Sequence, residues 1–116
     1  MSCTQTKLFC VSSGYNYVFN ANTKKNLTGS TIHFVVKTPN ESDAVFDLTN
    51  TTDDSISGVY INDIAKGDFD IRIIGVDSVN VLGNKVYECY YETSKGKELL
   101  FQGKILFDRG AIQWVT

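Results

Sequence analysis

The side chains able to do chemistry in this sequence are few, and their spacing limits what they can form. Its one histidine, His33, lies in Thr31-Ile32-His33-Phe34-Val35-Val36-Lys37, on the opposite side of the alternation from Ile32, Phe34 and Val36. A general base needs a serine, cysteine or carboxylate beside it, and no such constellation is recognisable, so a solvent-side or inter-sheet histidine is expected. The three cysteines, Cys3, Cys10 and Cys89, lack Cys-x-x-Cys spacing, and a single histidine cannot complete a Cys2His2 set. No structural metal is therefore expected. Cys89, inside Val86-Tyr87-Glu88-Cys89-Tyr90-Tyr91, reads as a small buried hydrophobe. A disulfide between Cys3 and Cys10, or between subunits, stays open for an oxidising compartment. Asp43, Asp47, Asp53, Asp54, Asp68 and Asp70 supply carboxylates without the calcium-loop pattern, and no glycine-rich phosphate cradle occurs. The chain reads as a non-enzyme with no cofactor. Tyr15, Tyr17, Tyr87, Tyr90 and Tyr91 could stack against sugar rings, although half-buried sheets favour aromatics in any case.

The elements that must position these residues are strands. Apolar residues recur at every second position in short windows, and no window keeps a helical period for 10 to 12 residues. The windows are Lys7 to Val11, Tyr15 to Phe19, Thr31 to Lys37, Ala44 to Leu48, Ser57 to Ile61, Phe69 to Ile73, Lys85 to Glu92 and Leu99 to Phe107. Asn20 to Asn26 and Thr49 to Ser55 read as polar loops, Pro39-Asn40 as a ladder end, and Val76 to Leu82 as one helical turn or an irregular crossover. The last two windows form a hairpin through Ser94-Lys95-Gly96-Lys97. Gly103 leaves room on its face for a tyrosine of the neighbouring strand. The sequons at Asn26, Asn40 and Asn50 are read as loop markers. Seven or eight strands with no interleaved helices predict an all-β, antiparallel sandwich, favoured over a small barrel.

Length and charge bound the rest. The 116 residues, 42% hydrophobic with a formal charge of -2, suit one folded domain. Without a basic excess, nucleic acid is not an expected partner; no apolar run approaches the ~20 residues of a membrane-spanning helix. No basic-then-apolar leader opens the sequence, so an intracellular origin is expected. The tail Ala111 to Thr116 holds the only tryptophan, Trp114, with Ile112 and Val115. Exposing these residues forfeits about 25 cal/mol per Å2, so the tail is expected either to form a last strand of its own domain or to dock on a neighbouring subunit.

The run Leu27-Thr28-Gly29-Ser30-Thr31-Ile32-His33-Phe34-Val35-Val36-Lys37 resembles the "L-T-G-a-T-v-x-F-x-V-K" strand of small immunoglobulin-like domains in tailed-phage virion proteins, such as the amino-terminal domain of baseplate upper proteins. Phe69 to Ile73, Val86 to Tyr91 and Glu98 to Ile105 follow in the same order, and the likeness covers roughly residues 15 to 108. It implies an immunoglobulin-like sandwich over residues 15-110, with residues 1-14 as a contact segment or extra strand and 111-116 as an apolar tail. The implied function is a structural subunit of a virion, in the tail, baseplate or head surface, assembled in the bacterial cytoplasm. Its expected partners are other virion proteins, in a homo-oligomer or symmetric assembly, with Leu8, Phe9, Val11, Ile112, Trp114 and Val115 as contacts. The alternative is a carbohydrate-binding module using surface tyrosines.

Overall fold

The structure, a computed structural model, describes residues 8–109, with side chains described for residues 9–108. Eight strands follow in chain order: β1 Leu8–Ser13, β2 Tyr17–Asn22, β3 Thr31–Lys37, β4 Ala44–Thr49, β5 Gly58–Asp63, β6 Asp68–Ile73, β7 Gly83–Thr93 and β8 Gly96–Arg109. One helical turn, α1 Gly75–Ser78, joins β6 to β7, which settles the reading of that crossover. The strands build a five-stranded sheet, β1-β8-β7-β3-β4, and a three-stranded sheet, β2-β6-β5. Neighbours β8-β7-β3 on one layer against β2-β6-β5 on the other is the immunoglobulin arrangement, extended here by β4. The fold is an all-β, immunoglobulin-like sandwich.

Two local expectations change. One pairing is parallel rather than antiparallel, with Val11 beside Phe107 in the β1–β8 ladder. These strands lie at opposite ends of the chain, so no hairpin dictates their relative sense. The run from Asn20 also continues β2 as far as Asn22 instead of opening a loop, because Asn20 pairs with Asp70 and Asn22 with Asp68. Their side chains fall on the outer face, where polar groups cost nothing.

The core lies between the sheets. Phe34, Val36, Ile71, Ile73, Ile105 and Phe107 are at most 1% exposed. Four aromatic rings close a circuit across both layers: Phe9 to Phe19 at 4.4 Å, Phe19 to Phe34 at 5.5 Å, Phe34 to Tyr87 at 5.3 Å and Tyr87 back to Phe9 at 5.1 Å. Such pairs add to area burial through their edge-to-face and offset geometry. Cys89 sits beside Phe34 in the β3–β7 register as a free, buried thiol. Burial pushes its pKa up to about 12, so it packs as a hydrophobe, as its sequence context implies. Tyr87 faces Gly103, where an added Cβ would lie 2.8 Å from the tyrosine hydroxyl. The space that the glycine was expected to leave is filled by that ring.

Loop residues lock the ends. The Ile32 amide donates to Asn50 Oδ1 at 2.8 Å, so this sequon asparagine ties the start of β3 to the end of β4. Gly67 adopts φ 67, and a Cβ there would meet Thr23 Oγ1 at 2.0 Å. Only glycine fits between the loop after β2 and the start of β6.

Candidate functional site

His33 projects from the outer face of the five-stranded sheet. Its Nδ1 lies 3.5 Å from Asp47 Oδ1 on β4 and its Nε2 3.3 Å from Glu92 Oε1 on β7. The ring stacks on Tyr90 at 4.7 Å and 11°, and Lys97 Nζ stands 5.2 Å from the same tyrosine ring. Two carboxylates and an aromatic plane thus bracket the imidazole, and among the described residues no serine or cysteine contact to it is seen. The arrangement ties β4, β3 and β7 together. Among the described residues, no three His, Cys, Asp or Glu side chains gather to hold a metal.

The tyrosines do not share an exposed plane. Tyr87 and Tyr91 are 8% exposed, Tyr90 lies under His33, and Tyr17 is half-buried, its phenol pushed up by burial. Tyr15, half exposed, stands apart at the turn before β2.

A polar lattice covers the three-stranded sheet. The Asn20 amide donates to Asp68 Oδ1 at 2.7 Å and Asp70 Oδ1 at 2.9 Å, and the Asn62 amide donates to the same two atoms at 3.2 and 3.0 Å. The hydrogen bond from Asn20, then that from Asn62, holds the Asp68 carboxyl below the usual carboxylate range. The sequence shows these four residues only as separate polar positions. The β2–β6–β5 register, which no local pattern reveals, brings them together.

The feature best built for contact is an edge. β2 is hydrogen-bonded to β6 on one side and has no strand neighbour on the other among the described residues. Beside that edge runs a hollow of about 480 Å3 whose lining mixes Phe9, Phe19 and Phe101 with polar Asn20, Thr23 and Lys25. A groove of mixed aromatic and polar lining flanking unpaired amides and carbonyls can take an added strand and its side chains together.

The expected contact residues fall in different places. Leu8 opens β1 opposite Lys104. Phe9 lines the groove, whereas Val11 is fully buried in the core of its own domain. Ile112, Trp114 and Val115 lie outside the described residues. Cys10 is disulfide-bonded, and the expectation for Cys3 falls outside the described residues.

No family model matches the sequence, and no curated protein matches it. Among solved structures, 37 chains match. One is a chain of the ZIG-8–RIG-5 IG1–IG1 heterodimer, with 8% sequence identity and a TM-score of 0.49 over 90% of this chain and 83% of that one. The chain's own strand order establishes its fold class: an immunoglobulin-like β-sandwich with the first strand laid parallel to the last.

Proposed function

We propose that the chain is a non-enzymatic structural subunit of a tailed-phage virion, a tail, baseplate or head-surface component, that assembles through its open sheet edges. The phage reading is supported by the resemblance over Leu27 to Lys37 and the strands that follow it. The observation that carries the mode of assembly is the unpaired edge of β2 beside the groove of Phe9, Phe19 and Phe101. A strand added there gains main-chain hydrogen bonds and buries apolar side chains at about 25 cal/mol per Å2. The partner is another virion subunit or a further copy of this chain. Sugar binding, the other reading of the tyrosines, has no comparable observation behind it.

Light scattering of the purified protein beside Ala21→Lys tests the edge. A defined oligomer that becomes a folded monomer on placing a charge in the groove is the expected result. A wild-type chain that stays monomeric at every concentration, alone and when mixed with the other structural proteins of its virion, would overturn it.

A further inference from the structure

The outer strands of the two sheets are not equally protected against pairing. In β4 the ladder to β3 slips by one residue at Val45, and Asp47 lies on the strand; in β5 it slips at Asn62, and Asp63 follows. Bulges and charges of this kind keep a sheet edge from adding a foreign strand. β2 has neither. Tyr17 to Asn22 holds an unbroken register with β6 and contains no charged residue and no proline. In an antiparallel ladder, alternate residues turn their amide and carbonyl toward the neighbour and the rest turn them away. Thr23 N donates to Gly67 O at 2.9 Å, one step beyond the Asn22–Asp68 pair, so Tyr17, Phe19 and Ala21 bond to β6 in the same phase. Val18, Asn20 and Asn22 therefore present their amides and carbonyls outward.

This strand is complementary to itself. The antiparallel register that uses every outward group places Asn20 opposite Asn20 of a second copy and Val18 opposite its Asn22, and each facing pair closes two main-chain hydrogen bonds. In the same register Phe19 faces Ala21 of the second copy and Ala21 faces its Phe19, a ring beside a small side chain each time. These side chains lie on the inward-facing side of β2, so Phe19 of the added strand comes over the hollow that Phe9, Phe19 and Phe101 line. With no charge on the strand, the two copies bring no like charges into opposition. We propose that two copies of this chain join β2 to β2, antiparallel about a two-fold axis at Asn20, so that their three-stranded sheets become one continuous sheet. The pairing rests on the edge reading above and makes its partner a second copy.

Sedimentation equilibrium of the full chain should show a monomer and a dimer that exchange with concentration. Val18→Pro deletes an outward amide without touching the β6 ladder and should weaken the dimer about tenfold or more, with an unchanged circular dichroism spectrum as the check on folding. Oxidation of Asn20→Cys should give a covalent dimer, because the Cα atoms of a facing, bonded pair stand about 5.5 Å apart, within disulfide reach. Val18→Cys, which faces Asn22 rather than itself, should cross-link far less, as should the wild type, whose Cys89 is buried and whose Cys10 is already bonded. The cross-linking decides the matter even where proline disturbs the strand. A wild type that is monomeric at every concentration would overturn self-pairing, yet leave the edge reading standing if β2 takes a strand from another virion protein. A dimer that keeps its strength in Val18→Pro and gives no Asn20→Cys cross-link would overturn both. Faster cross-linking of Val18→Cys than of Asn20→Cys would overturn the register, and the proposal with it.

Discussion

The two sheets meet across one core but treat solvent differently. The five-stranded sheet supplies most of the buried aromatics, and its interior strand β3 is buried along Ile32, Phe34, Val35 and Val36. Its outer face is ordered by one stacked group, His33 set between the Asp47 and Glu92 carboxylates and the Tyr90 ring. The three-stranded sheet contributes Phe69, Ile71 and Ile73 inward and covers its other side with the Asn20, Asn62, Asp68 and Asp70 lattice. Both sheets end in strands with no further neighbour among the described residues, β1 and β4 in one and β2 and β5 in the other; they differ in that the wide sheet draws its stability from packed interior strands, whereas the narrow one carries an exposed amide–carboxylate lattice across its register. That difference separates a layer ordered by packing from one ordered by surface polar bonds.

Substitutions in the two layers should differ sharply in cost. Phe34→Ala removes the ring that touches both Phe19 and Tyr87; a loss of about 3–5 kcal/mol is expected in urea unfolding, and a loss below about 1 kcal/mol would mean that the aromatic circuit does not bear on stability. Gly103→Ala forces Tyr87 aside and should cost about 1–3 kcal/mol through overpacking, with Gln102→Ala, an exposed neighbour on β8, as a near-silent control. The smallest effect belongs to the narrow sheet. Asp68 has its folded pKa depressed by Asn20 and Asn62, so its contribution is present above the ordinary carboxylate range and is lost as pH falls through the depressed value. Asn20→Ala weakens that depression and should make the acid limb of stability shallower while moving the neutral-pH midpoint much less than either core change. Parallel acid limbs in the two proteins would show that the lattice is not coupled to folding.

Much of this layout is legible residue by residue. Phe69-Asp70-Ile71-Arg72-Ile73 and Thr31 to Lys37 alternate as strands should, and the pairing of Gly103 with a tyrosine follows from a missing side chain on a bulky face. Asn20 and Asn22 misled because polar residues signal a loop locally, yet a strand whose outer face meets water accepts them at every second position. Val11 shows the converse. Its apolar character suggested a partner contact, but pairing with Phe107 turns it into the chain's own core.

The sequence by itself determined the class of the fold, all-β, because a period of two and the turn residues between strands are local properties of the chain. Tertiary structure alone decided which strands are neighbours. The parallel β1–β8 ladder, the Asn–Asp lattice, the bracket around His33 and the open edge of β2 each join segments far apart in the sequence. Such long-range partners are selected by how the whole core packs, a condition that no short window of residues contains.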